Sequence, residues 1–181
     1  MTVDSQLHAD CAKCCGLCCV APAFDADQGF GFDKPAHTAC RNLAADNCCV
    51  IHAQLRVRGF PACAAFDCHG AGQWVTQQLF GGRSWRTSPE LAAQMFTLYG
   101  RVRVLHELMA LLELAIGRVS PGAAAPLARC LFDIQNIRAA GHELIDTFSE
   151  SGLRARVRQV LREHLGSRGL LRRLQGQAPQ P

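Results

Sequence analysis

The stretch Cys11-Ala12-Lys13-Cys14-Cys15-Gly16-Leu17-Cys18-Cys19, CAKCCGLCC, decides how this chain is read. Its five thiols stand at offsets of three, four, seven and eight residues, which return to one azimuth of a helix at about 3.6 residues per turn. A helix over residues 10–20 is therefore expected, with the thiols on one face suited to a soft metal. Gly16 lowers helix propensity by about 1 kcal/mol relative to alanine, so metal ligation is expected to supply what propensity lacks.

Five further cysteines, Cys40, Cys48, Cys49, Cys63 and Cys68, follow before residue 70, and Cys130 alone lies beyond them. The chain has 181 residues, is 49% hydrophobic and 19% charged, and carries a net charge of +4. These totals suit one ordinary domain or two small ones and exclude large multidomain machinery. No apolar run reaches the roughly 18 residues of a membrane span. The start, MTVDSQLHAD, lacks the basic and apolar segments of a secretory signal, so a cytoplasmic location is expected. There, thiols are kept reduced, and clustered cysteines serve metals or redox chemistry in preference to disulfides.

The expected fold is mainly α: a small, irregular, metal-stapled cysteine-rich module followed by an antiparallel helical bundle. Residues 1–9 are expected as a flexible terminus and 10–72 as the module. Within the module, Pro22, Gly29, Gly31 and Pro35 mark an irregular loop anchored by Phe24, Phe30 and Phe32. A short helix through Leu55 stops at Gly59. Few large aliphatic residues lie between positions 10 and 70, and cross-linking by metal is the physical solution for such a composition. Residues 73–86 read as a linker with a short helix from Gln73 to Phe80, with Trp74, Phe80 and Trp85 packing between the halves.

From Ser88-Pro89-Glu90, a good helix start, the pattern changes. Leu91, Met95, Leu98, Val102, Leu105, Leu108/Met109, Leu112 and Ile116 recur every three or four residues, an amphipathic helix of about eight turns. A second unit runs from Ser120-Pro121 through Leu127, Cys130, Ile134, Ile137 and Ile145 to Phe148, with Gly141 a weak and Gly152 a strong interruption. A third runs through Leu153, Val157 and Leu161, with a continuation to Leu174. The bundle is thus expected over 87–174 and a disordered tail over 175–181. Residues 152–181 hold seven arginines against one glutamate, so the basic charge sits on the last helix. Without stacking aromatics or a groove-reading motif, a solvated helix face is favoured there over a nucleic-acid role.

Zinc takes four tetrahedral thiolate or imidazole ligands, commonly as two close pairs from separate segments. Ten thiols in under sixty residues exceed one such site. They fit two sites, a small cluster with bridging thiolates, or iron–sulfur clusters, and spacing does not choose among these. His52 and His69 lie in the same region, although a lone histidine there is more often a surface residue than a ligand. Cys130 falls on an apolar stripe and reads as a small core residue. Gly70-Ala71-Gly72 lacks the spacing of a phosphate-binding loop and reads as a hinge.

Cys11-x-x-Cys14-Cys15, Cys40-x-x-Leu43, Cys49-x-Ile51, and Cys63 with Phe66 and Cys68 resemble the bacterial YkgJ-type cysteine-cluster proteins, zinc- or iron-chelating domains. The longer string CCGLCC, FDKPA, ACRNL, CVIH, LRVRGF, DCHGAGQ, VTQ and FGG is similar to the cysteine-rich region that precedes the repeats in a set of bacterial pentapeptide-repeat proteins. The resemblance covers about residues 11–115. It implies Cys11, Cys14, Cys15, Cys18, Cys19, Cys40, Cys49, Cys63 and Cys68 as metal ligands, with Cys48, His52 and His69 as lesser candidates. Cys48 is an extra thiol beside the matching Cys49, His69 stands where an aromatic residue is expected, and no pentapeptide repeat follows position 150. No right-handed β-helix is therefore expected.

The family brings no established reaction. The function expected first is a non-enzymatic metal-binding protein, with a zinc or iron site in the module and a helical half that contacts a protein partner. An iron–sulfur electron-transfer protein comes second. A thiolate metal buffer or Cu(I) chaperone comes third, because thiolate-lined surfaces also suit that ion.

Overall fold

A computed structural model describes residues 5–165. Among the described residues there are seven α-helices and no sheet, and isolated antiparallel bridges pair Phe24 with Lys34 and Leu43 with Cys49. The mainly helical expectation holds. The described residues divide into two compact units, one over residues 5–103 and the other over 104–165. The expected helical continuation to Leu174 and the tail over 175–181 lie outside the described residues.

The single helix expected over 10–20 does not form. A 3₁₀ turn over Cys11–Lys13 is capped by the Asp10 carboxylate, which accepts from the Ala12 N–H at 3.2 Å. Cys14 is then extended, at φ −115° and ψ 142°. Gly16 is left-handed at φ 75°, and only after it does a four-residue helix, α1, run over Leu17–Val20. A Cβ at position 16 would meet Leu43 Cδ1 at 2.8 Å and the Asn47 carbonyl at 3.1 Å. Both the backbone angle and the close approach demand glycine, and together they override the helical spacing of the thiols. Order also begins before Asp10: Ser5–Leu7 form a 3₁₀ turn and Leu7 is buried.

The loop after α1 closes on an aromatic cluster. Phe24 stacks on Phe30 with ring centroids 4.8 Å apart, and Phe32 meets Phe24 and Phe60 edge-on at 6.2 and 5.6 Å. Lys34 is buried beneath it, 5% exposed, with its ammonium 4.5 Å from the Phe24 ring centroid. Its Nζ donates to the carbonyls of Val20, Pro22, Pro35 and Thr38 at 3.4, 2.5, 3.0 and 2.8 Å. Burial pushes the pKa of this amine down, while the thiols of Cys40 and Cys19 oppose the shift. A lysine thus supplies the donors that an irregular loop lacks.

Beyond a 3₁₀ turn at His52–Gln54, α2 spans Pro61–Ala65. The helix α3, Ala71–Trp74, passes directly into a π-helical turn over Val75–Leu79. Residues 73–86, expected as a linker, clamp the cysteine segment. Gln73, Thr76 and Gln77 fall on one helix face. The Gln73 Oε1 accepts from the Asp10 N–H and its amide donates to the His8 carbonyl; Thr76 Oγ1 accepts from the Cys15 N–H; and the Gln77 amide donates to the Lys13 carbonyl. Trp85 Nε1 donates to the Cys15 carbonyl at 2.8 Å, and Arg86 reaches Asn47 and the Ala44 carbonyl. Irregular backbone at 8–15 is thereby satisfied by side chains in place of a ladder.

The long helix α4 spans Ala92–Ile116 after a 3₁₀ start at Pro89–Leu91, and Met95, Leu98, Tyr99 and Val102 of its first half are buried in the cysteine-rich unit. In the second unit, α5 (Pro121–Ala139), α6 (His142–Thr147) and α7 (Glu150–Leu165) follow, with α5 packed on both α6 and α7. Leu127, Cys130, Ile134, Ile145, Val157 and Leu161 form its core, which places Cys130 as expected. Gly141, at φ 78°, makes the sharper break. Gly152 sits inside α7, because the Ser149 Oγ accepts its N–H at 3.2 Å and starts the helix upstream of it. Arg154 joins Glu107 and Glu150 at 3.2 and 3.0 Å, so one of the C-terminal arginines has carboxylate partners within its unit. Among the described residues no helix is long and apolar enough to cross a membrane.

Candidate metal centre

Every cysteine carries a free thiol. The extended backbone at Cys14 sends its side chain and that of Cys15 to different surroundings. The Cys14 thiol lines a cavity, together with Cys11, Cys18, Cys68, Ala9, Asp10, Gly72, Gln73 and Tyr99. The Cys15 thiol enters the core, 3% exposed, at 3.4 Å from Thr76 Oγ1 and 3.5 Å from Met95 Sδ. Of that doublet, one thiol faces the cavity and the other packs against a helix.

Three chain segments bring the four thiols to this cavity, and α4 adds Tyr99. Cys11 and Cys14 come from the capped 3₁₀ turn, Cys18 from α1, and Cys68 from the turn before α3, where the Ala71 N–H donates to the Cys68 carbonyl at 2.9 Å. Glycine makes room for them. A Cβ on Gly72 would meet Cys14 Sγ at 2.6 Å, and one on Gly70, itself left-handed at φ 75°, would meet the Gln6 carbonyl at 2.1 Å. The Gly-Ala-Gly stretch is therefore a packing surface against residues 6–14 and not a hinge.

Cys18 is the hub of a wider thiol cluster. Its Sγ lies 3.9 Å from Cys19 Sγ, and its electrostatic reach extends to Cys11, Cys14, Cys49, Cys63 and Cys68. Cys40 is drawn toward Cys19 by its N–H, which donates to the Cys19 carbonyl at 2.9 Å, and its charge adds to the upward shifts of Cys49 and Cys63. Cys48 is exposed. The histidines stand apart. His69 is left-handed at φ 47° and its Nδ1 pairs with Asp67 at 3.5 Å, while His52 is exposed on its 3₁₀ turn.

Six thiols of this unit, Cys11, Cys14, Cys18, Cys49, Cys63 and Cys68, are shifted toward their protonated form. Burial pushes Cys14 up to about 12 and Cys63 up to about 11, with neighbouring thiols adding to both. Cys18 is raised first by its hydrogen bond to Cys19 and then by burial, and Cys11, Cys49 and Cys68 are raised chiefly by burial. A nucleophilic cysteine needs the opposite shift. Among the described residues no three His, Cys, Asp or Glu side chains are closed into a coordinating group. The four thiols line an open cavity with about 20 Å³ of free space, room for one water-sized guest.

Of the cysteines expected as ligands, the structure brings Cys11, Cys14, Cys18 and Cys68 to one cavity and turns Cys15 into the core; Tyr99 and Lys34 were not singled out from the sequence. Tyr99 had a signal: it stands four residues after Met95 and three before Val102, on the buried stripe of α4. A tyrosine on such a stripe brings a hydroxyl that needs a partner.

No protein-family profile matches the chain, and no solved structure matches it. The chain is similar to a Bacillus subtilis (strain 168) protein carrying the name "Uncharacterized protein YybG", with 46% identity over 107 residues. Those residues make up 59% of this chain and 38% of that protein, so the chain spans well under half of its relative's length.

Proposed function

We propose that residues 5–103 form a thiolate metal-binding module in which Cys11, Cys14, Cys18 and Cys68 hold one thiophilic cation, zinc in the first instance. The observation that carries this reading is the convergence of four thiols from three chain segments on one small cavity. Thiols raised by burial and by one another resist losing protons singly, and a cation is the charge that lets them ionise together. Cys19, Cys40, Cys49 and Cys63 form the adjoining side of the cluster and are the reserve for a second ion. Raised thiols also favour binding over nucleophilic catalysis. In the helical unit, Phe132, 60% exposed, and Leu144, 43% exposed, support a contact role toward a protein partner.

The test is anaerobic purification followed by elemental analysis and a visible spectrum of the unaltered chain and of Cys18→Ser. Colourless protein with stoichiometric zinc that Cys18→Ser loses is the expected result. Brown protein containing sulfide would overturn zinc in favour of the cluster, and reversible uptake of several Cu(I) equivalents in place of zinc would favour the buffer.

A further inference from the structure

The cavity holds one group that four-thiol binding leaves unused. Tyr99 projects from α4, is 2% exposed, and lines the cavity with Cys11, Cys14, Cys18 and Cys68. Among the described residues its hydroxyl is the one buried side-chain oxygen or nitrogen without a hydrogen-bond partner. Thr76, also buried, shows the ordinary arrangement: its hydroxyl donates to the Gly72 carbonyl at 2.9 Å and accepts from the Cys15 N–H at 3.2 Å. An unpaired buried hydroxyl is destabilising, and phenylalanine would fill the same space without that penalty. The side chains that line the cavity with Tyr99 include the thiols of Cys11, Cys14, Cys18 and Cys68.

A neutral thiol is a poor acceptor, but a thiolate accepts a charge-assisted hydrogen bond. The acceptor that suits this hydroxyl therefore comes into being only when the thiols ionise, which is the event that cation binding brings about. We propose that Tyr99 is a positioning residue of the metal centre, its Oη–H donating to a thiolate sulfur of Cys14, Cys18 or Cys68 in the loaded site. The assignment rests on the metal-binding reading above. It makes the first half of α4 a participant in loading, because the ring that carries the donor is fixed by the core around Met95, Leu98 and Val102.

Tyr99 is the chain's one tyrosine, so incorporation of 3-fluorotyrosine gives a single ¹⁹F resonance at the site. The experiment titrates the reduced full chain with zinc under anaerobic conditions, following that resonance, and measures zinc affinity by chelator competition in the unlabelled chain and in Tyr99→Phe. The resonance is expected to move and saturate in step with zinc uptake. Tyr99→Phe is expected to bind zinc roughly 10- to 100-fold more weakly, while its metal-free form melts at the same or a higher temperature. Zinc uptake with an unmoved resonance, or with unchanged affinity in Tyr99→Phe, would overturn the assignment and leave the metal centre standing. So would a loss of affinity accompanied by a lower metal-free melting temperature, the mark of a merely structural role. Failure of the unaltered chain to take up zinc would overturn the metal-binding reading, and the role of Tyr99 with it.

Discussion

Gly72→Ala separates the stability of the cysteine-rich unit from the integrity of its thiol cavity. Gly72 lies in α3, where alanine raises helix propensity by about 1 kcal/mol. On helix formation alone the substitution is stabilising. The added Cβ, however, would stand 2.6 Å from Cys14 Sγ, whereas ordinary contact begins near 3.4 Å. The sulfur must therefore retreat by roughly 0.8 Å or turn to another rotamer. Zinc–thiolate bonds of about 2.3 Å tolerate deviations of about 0.2 Å, so either movement takes Cys14 out of a tetrahedral set. The expected outcome is a metal-free melting temperature at or above that of the unaltered chain, with zinc affinity at least about tenfold lower, or about 1.4 kcal/mol. Cobalt(II) substitution reads the site directly, since its thiolate charge-transfer absorption scales with the number of sulfur ligands and should weaken. Full zinc affinity and an unchanged cobalt spectrum in Gly72→Ala would refute the placement of Cys14 in the centre.

Two other perturbations probe the surrounding unit. Lys34→Met removes an ammonium that binds four carbonyls from a position 5% exposed, leaving those acceptors without their donor, so a loss of about 3 kcal/mol or more is expected in urea unfolding; a change under about 1 kcal/mol would show that the loop does not depend on the lysine. The metal-free chain should also weaken in alkali. Cys14 and Cys63, raised first by burial and further by the charge of neighbouring thiols, ionise later in the folded than in the unfolded state. Their contribution is fully present below the unfolded value of 9.0 and is lost as pH rises toward about 11 for Cys63 and about 12 for Cys14. Denaturant midpoints on either side of pH 9 check this. A flat profile in the metal-free chain, or the same slope in Cys14→Ala and Cys63→Ala together, would count against protonated, buried thiols.

The helical part was legible because its determinants are local. The period of Met95, Leu98, Val102 and Leu105, or of Leu153, Val157 and Leu161, states which face is buried before any partner is known. The cysteine-rich part resisted the same treatment for a physical reason. The helical spacing of CAKCCGLCC is genuine, but the conformation is set by Gly16 against Leu43 and Asn47, and by Gln73, Thr76 and Gln77, which lie some sixty residues away. None of these contacts has a periodic signature. Cys15 illustrates the limit: composition and resemblance count it among the thiols of a centre, whereas its environment is a threonine hydroxyl and a methionine sulfur. Gly152 and Gly141 exchanged their expected strengths because a serine cap at position 149, not the glycine, decides where α7 begins.

The caged ammonium of Lys34 has a consequence for how this unit responds to chelators. Loop-rich folds commonly borrow a calcium or potassium ion to gather inward-pointing carbonyls, and such loops come apart when the ion is withdrawn. Here the cation is tethered to the chain, so it has no dissociation constant and no competitor in solution. The segment from Val20 to Cys40, with its stacked phenylalanines, should thus keep its shape through cycles of metal withdrawal and return, leaving the thiols of Cys19 and Cys40 at the ends of a permanently assembled bracket.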